Sequence, residues 1–225
     1  REGPVEVANR LPYFAAAAWY QKKLGARLQQ KPLVEVLEEV EKYTINELLP
    51  AMVMGGFLEA DQKQAVAQKM SEYSGVDAQV FLSHNLEVPY PYFWKELLRE
   101  EGYTVGRLDS RYLGIDRKRA GERPDYNSEL TSWLHSFTPA INYYLQEELN
   151  FKTGENLRQA MAQNPYLHVM TQSGYFDGAT TYFNAKYNMW QLDPSGVMKD
   201  RLSFKGYESG HMMYLRREDL KNANN

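Results

Sequence analysis

Two residues in the last quarter of the chain have the types that a catalytic acid–base pair requires. Asp177 lies in the segment SGYFDG, residues 173–178, and His211 lies in ESGHMM, residues 208–213. In such a pair the carboxylate accepts the imidazole N–H and fixes the tautomer of the ring. The carboxylate also stabilises the imidazolium that forms when the histidine takes a proton from a serine.

Each of these residues also has a purely structural interpretation. An aspartate among glycines is typical of a turn, and a histidine that follows a glycine is commonly a loop residue. Glu208, three residues before His211, is a candidate substrate-binding carboxylate, and a solvated surface position is its other interpretation. Residue types and spacing alone leave these alternatives open.

Alternating strands and helices surround the pair. The apolar run YLHVMTQ, residues 166–172, predicts a buried strand, and residues 201–207 predict a second one. A helix is predicted between them at residues 179–191, and another begins at residues 217–220. This alternation indicates a parallel sheet flanked by helices, an α/β arrangement. Because functional residues of such sheets follow the carboxyl ends of the strands, the loops of Asp177 and His211 should meet.

The first two thirds of the chain are predicted to be mostly helical. Two strands do not make a stable sheet by themselves, so we expect further strands outside this chain. The other predicted elements are helices at 15–24, 33–54, 60–73, 89–101, 128–149 and 154–163, a hairpin at 103–113 and a polar loop at 116–127.

Composition and charge exclude several classes of function. The chain has 225 residues, of which 43% are hydrophobic, so it can bury a sizeable core. A net charge of −3 gives no field that would attract nucleic acid. No run of about 18 apolar residues occurs, so no membrane-spanning segment is predicted. Cysteine is absent, which excludes disulfides, cysteine nucleophiles and cysteine-ligated zinc.

Metal and cofactor sites are not expected either. The four histidines, at positions 84, 135, 168 and 211, include no pair with the His-x-x-x-His spacing of a helical zinc site. The sequence also lacks the glycine-rich motifs that bind nucleotide phosphates. We therefore predict chemistry that amino-acid side chains perform without a cofactor.

Several segments resemble the serine carboxypeptidase family, especially its bacterial members. NPYLHVMTQSGYFDGAT, residues 164–180, and YESGHMMYLRREDL, residues 207–220, are similar to the C-terminal signature of that family. FAAAAWYQKKLG, residues 14–25, and FWKELLREEGYTVGRLDSRYLGID, residues 93–116, resemble its more upstream segments. The resemblance implies the C-terminal portion of an α/β-hydrolase fold with a large helical cap.

The resemblance assigns roles to residues and segments. It makes Asp177 the catalytic acid and His211 the catalytic base, and Met212 would line the pocket for the leaving residue. By the same comparison, residues 1–25 would return from the α/β core, residues 26–150 would form the cap, and residues 151–225 would complete the core.

The family's nucleophilic serine has no counterpart in this chain. In the family it lies in Gly-Glu-Ser-Tyr-Gly within the N-terminal half, and no Gly-x-Ser-x-Gly occurs here. The resemblance thus implies a serine carboxypeptidase that cleaves peptides through an acyl-enzyme, with its serine in an upstream half that partners this chain. It also implies export to the periplasm or the extracellular space. The alternative is a non-catalytic peptide-binding or interaction module derived from a hydrolase.

Overall fold

A computed structural model describes residues 3–115 and 153–224. Within these ranges the protein is a mixed helical and β-sheet structure, which agrees with the α/β class expected from the sequence. The predicted polar loop at 116–127 and helix at 128–149 lie outside the described residues. The proposed boundaries between core and cap stay predictions.

Short helices make up the segment before residue 100. The helices are α1 (Pro4–Ala8), α2 (Leu11–Tyr20), α3 (Leu33–Tyr43), α4 (Leu49–Met54), α5 (Ala60–Ser74), α6 (Ala78–Ser83) and α7 (Tyr90–Glu96). A π-helical turn, Thr44–Leu48, joins α3 to α4, and a 3-10 turn, Gly55–Phe57, follows α4. The predicted helix at 60–73 is confirmed as α5, which ends at Gly75 with a φ of 69°. Glycine tolerates this left-handed conformation, so it stops the helix at low cost.

The N-terminal helices pack around α2. Its four consecutive alanines, Ala15 to Ala18, are fully buried, and their small side chains let α3 and α5 pack closely against it. Phe14 of α2 stacks on Phe93 of α7 with ring centroids 3.8 Å apart. Helix α2 ends at Tyr20 instead of the predicted residue 24, because Lys22 adopts a left-handed φ of 59°.

Two small sheets follow the N-terminal helices. The predicted hairpin is confirmed by the antiparallel strands β1 (Tyr103–Val105) and β2 (Leu113–Ile115). The predicted pair of parallel strands is confirmed by β3 (Val169–Gly174) and β4 (Leu202–Tyr207), which pair in register over six residues each. Within the described ranges β3 and β4 have no other strand neighbour.

Helices precede, connect and follow the parallel strands. They are α8 (Thr153–Gln163), α9 (Tyr182–Leu192) and α10 (Arg217–Ala223), with 3-10 turns at Lys199–Arg201 and Met213–Leu215. A second apolar cluster joins Leu33 and Leu37 of α3 to Phe176, Tyr182 and Phe183. It fixes the segment that follows β3 against the N-terminal helices.

Local hydrogen bonds moved two predicted boundaries. Strand β3 begins at Val169 and not at residue 166, because Asn164 Oδ1 accepts the Tyr166 N–H at 3.0 Å and forms a turn. Tyr166 is consequently 88% exposed. Helix α9 begins at Tyr182 and not at residue 179, because the N–H groups of Ala179 and Thr180 bind the Asp177 carboxylate in a turn and the next residue, Thr181, has an extended backbone. No described helix is long and apolar enough to cross a membrane.

Candidate active site

Asp177 and His211 lie together at the carboxyl ends of the parallel strands. The last paired residues are Gly174 of β3 and Tyr207 of β4, so the two loops leave the sheet at the same level. Backbone bonds extend this pairing into the loops, since Phe176 N donates to Ser209 O at 3.0 Å. The expected meeting of the two side chains is observed, because His211 Nδ1 lies 2.8 Å from Asp177 Oδ2.

The Asp177 carboxylate is buried and fully hydrogen-bonded. Asp177 is 4% exposed, and burial of an ionised carboxylate is costly unless hydrogen-bond donors surround it. Oδ1 accepts the N–H groups of Ala179 and Thr180 at 2.8 and 3.1 Å. Oδ2 accepts the Thr180 hydroxyl at 2.8 Å in addition to the His211 ring. These bonds fix the orientation of the carboxylate and keep Oδ2 towards the imidazole.

The His211 ring combines an anchored nitrogen with exposure to solvent. Its side chain is 44% exposed, and Nδ1 faces the carboxylate. A neutral imidazole that donates from Nδ1 carries its free lone pair on Nε2, which can then take a proton from a nucleophile. In the part of the chain that the structure describes, no serine hydroxyl bonds to this ring.

Glycines allow the two loops to approach each other. A Cβ atom on Gly174 would lie 2.3 Å from the carbonyl oxygens of both Ser209 and Gly210. A Cβ on Gly210 would lie 2.5 Å from Asp109 Cβ. A side chain at Gly174 would therefore push the loop of His211 away from β3, and one at Gly210 would push it away from Asp109.

Residues 107–111, between β1 and β2, contact both catalytic loops. On the acid side, Gly178 N donates to Arg107 O at 2.9 Å, and Ser110 N donates to Phe176 O at 2.9 Å. On the base side, His211 N donates to Leu108 O at 2.8 Å. We name this segment the 107–111 loop. The family resemblance covers it, but nothing in its own sequence pattern indicated that it would hold the site together.

A cavity of about 540 Å³ opens beside the base. Its walls include His211, Met212, Tyr112 and Leu215, so it offers apolar surface next to the imidazole. Met212 lines this cavity, and the role that the resemblance gives it stays a prediction. Glu208 is exposed and is not part of this lining, and the structure gives it a backbone contact to the 107–111 loop instead.

Metal ligation is not indicated within residues 3–115 and 153–224. No group of three histidine, aspartate or glutamate side chains converges there in a way that could hold a metal ion. The acid–base pair is therefore the arrangement from which we argue function.

Comparisons with known proteins provide no relatives. No family model, no curated protein and no solved structure matches this chain. The function must consequently be argued from the site geometry and from the sequence resemblance described above.

Proposed function

We propose that the protein is a serine-type carboxypeptidase of the α/β-hydrolase kind, with its nucleophilic serine upstream of residue 1. The observation that carries this proposal is the 2.8 Å contact between Asp177 Oδ2 and His211 Nδ1, formed by loops that follow adjacent parallel strands. The chain order also fits, since the acid precedes the histidine in α/β-hydrolases and the serine precedes both.

The proposed reaction begins with His211. Its Nε2 takes the proton of the serine hydroxyl while the serine oxygen attacks the carbonyl carbon of the last peptide bond. Asp177 stabilises the imidazolium that results. His211 then gives this proton to the departing nitrogen, the C–N bond breaks, and the C-terminal residue leaves behind an acyl-enzyme. A water molecule, deprotonated by His211, cleaves the ester, and the proton returns to the serine.

The upstream half would supply the remaining parts of the site. In this proposal it contributes the serine, the oxyanion hole and the strands that complete the sheet beside β3 and β4. Residues 26–150 would form a helical cap over the peptide cleft, and the cavity beside Met212 would accept the leaving residue. Export from the cytoplasm belongs to the same proposal, and fractionation of the source cells would test it.

Substitution of the base tests the activity directly. In the full-length protein we expect His211→Ala and Asp177→Asn each to lower kcat by about 10⁴-fold. His211→Ala removes the group that accepts the serine proton, and Asp177→Asn no longer holds the imidazole in the tautomer that can accept it. The measurement is release of the C-terminal amino acid from an N-blocked dipeptide. His168→Ala is the matched control, since this exposed histidine precedes β3 at the opposite end of the strand.

Two outcomes would contradict the proposal. Unchanged hydrolysis in His211→Ala would remove the base assignment. A full-length protein that binds peptides but does not cleave them would instead favour the non-catalytic peptide-binding module. The Asp177–His211 pair would then be retained from a hydrolase ancestor without a catalytic role.

A further inference from the structure

We infer that Arg111 is a positioning residue that holds the acid loop and the base loop in their relative places. The inference deepens the proposed function, since it concerns the same site. It rests on three contacts that one guanidinium group makes, each with a different part of the site. None of these contacts involves the reacting atoms, so Arg111 acts through Asp177 and His211.

The first contact fixes the guanidinium itself. Arg111 Nε lies 2.9 and 3.1 Å from the two carboxylate oxygens of Asp109, and Nη2 lies 2.6 Å from Oδ2. The side chains are only 26% and 11% exposed. Hydrogen bonding to Asp109 raises the pKa of Arg111, so its charge persists. A two-pronged pair of this kind holds the plane of the guanidinium in one orientation.

The second contact reaches the base loop. Arg111 Nη1 donates to the carbonyl oxygen of Glu208 at 2.7 Å. Glu208 is the first residue after β4 and lies three positions before His211. The hydrogen bond from His211 N to Leu108 O, at 2.8 Å, adds a second connection between the same two segments.

The third contact reaches the acid loop. The Arg111 guanidinium carbon lies 5.0 Å from the centroid of the Phe176 ring, within the range of a cation–π interaction. Phe176 immediately precedes Asp177 and is 1% exposed, so its ring cannot move without disturbing the core. One side chain therefore touches the residue before the acid and the residue that opens the loop of the base.

The chemistry of these contacts requires arginine. Its planar group donates in several fixed directions and stacks on a ring at the same time, whereas a lysine ammonium is a single point charge. A displacement of about 1 Å between catalytic groups can cost on the order of 100-fold in rate. Loss of the guanidinium should therefore lower kcat. It should also change KM, because Arg111 lines the cavity proposed for the leaving residue.

The experiment compares Arg111→Met and Arg111→Lys with Arg158→Met and Arg158→Lys in the full-length protein. Arg158 is the matched control, because it makes the same two-pronged pair, with Glu155 at 2.9 and 2.6 Å, on an exposed face of α8. We expect both Arg111 variants to lower kcat by about 10- to 100-fold. The Arg158 variants should stay within about twofold of the parent protein.

A second measurement does not depend on activity. The His211 Nδ1–H proton, which faces Asp177, should give a low-field NMR signal that broadens or moves upfield in the Arg111 variants and is unchanged in the Arg158 variants. If the full-length protein has no peptidase activity, the proposed function fails, and this signal still tests Arg111.

The inference is overturned if folded Arg111→Met and Arg111→Lys retain the low-field signal of the parent protein. If neither variant folds, Asp109→Asn replaces them, since it keeps the guanidinium and weakens its contact with the Asp109 carboxylate. The same change in the His211 signal is then expected. An unchanged signal in folded Asp109→Asn would equally overturn the inference.

Discussion

At the scale of residues, two hydrogen bonds to Asp177 Oδ2 hold the carboxylate against the His211 ring. Asp177 Oδ2 accepts both the Thr180 hydroxyl and the His211 ring, each at 2.8 Å, and the hydroxyl lies 3.1 Å from the same ring nitrogen. Thr180 thus completes the set of donors around a buried carboxylate. The sequence did not single out Thr180, although a threonine three positions after an aspartate is a recognisable turn pattern.

Removal of the Thr180 hydroxyl should destabilise the protein modestly. Thr180→Val keeps the shape of the side chain but takes one donor from the Asp177 carboxylate. Thr180 is itself exposed, so water can partly replace the donor, and we expect a loss of about 1 kcal/mol. Urea unfolding measures it. Thr180→Ser retains the hydroxyl and should unfold like the parent protein, and an equal loss in both variants would contradict the prediction.

Close backbone contacts decide the geometry of the site at the scale of elements. Strand β3 ends at Gly174, whose Cα faces the carbonyl oxygens of the base loop. The strand is predictable from the apolar run that precedes Gly174. That this glycine also sets the distance between the two loops depends on a contact with residues more than 30 positions away in the sequence.

An added methyl group at Gly174 should separate the loops. We expect Gly174→Ala to destabilise the protein by about 3 kcal/mol, because its Cβ would lie 2.3 Å from backbone oxygens that cannot turn aside. Gly154→Ala is the matched control. This glycine lies in α8 with its nearest neighbour at 4.0 Å, so alanine should be neutral or stabilise by up to about 1 kcal/mol. Thermal and urea unfolding of both variants measure the difference, and equal stabilities would contradict it.

A charged network connects separate helices at the scale of the whole molecule. Glu39 of α3 accepts bonds from Arg27 at 2.5 and 3.0 Å, from Lys31 at 2.8 Å and from the Tyr73 hydroxyl of α5 at 2.9 Å. Hydrogen bonding to Arg27, with smaller contributions from Lys31 and Tyr73, outweighs burial and lowers the pKa of Glu39 to about 2. The network supports the helical segment against which the site is packed.

This lowered pKa predicts a specific dependence of stability on pH. A depressed carboxylate pKa stabilises the folded state above the ordinary value of about 4.3, and the contribution is lost as pH falls towards 2. The free energy of unfolding of the parent protein should thus exceed that of Glu39→Gln at pH 7, and the difference should shrink between pH 4.5 and about 2. Urea unfolding across this range measures it. A difference for Glu39→Gln that is independent of pH would contradict the assignment.

The sequence by itself determined the local elements and the two chemical residues. Apolar runs and glycine or proline boundaries predicted the parallel strands, the hairpin and helix α5, because these signals depend on neighbours along the chain. The placement of Asp177 and His211 after predicted parallel strands indicated that their loops meet, and the family resemblance assigned their roles. Family membership and peptidase activity stay predictions.

Only the tertiary structure decided how these residues are held. The start of α9 shifted because Ala179 and Thr180 form a turn around the Asp177 carboxylate and Thr181 is extended. The contact between Arg111 and Glu208 could not be predicted from the sequence, because the two residues are 97 positions apart. The periodicity of apolar residues predicts which face of each element is buried. The approach of distant loops depends on tertiary packing, which no local sequence pattern encodes. For that reason the sequence predicted the acid and the base, and the fold alone identified the side chain proposed to position them.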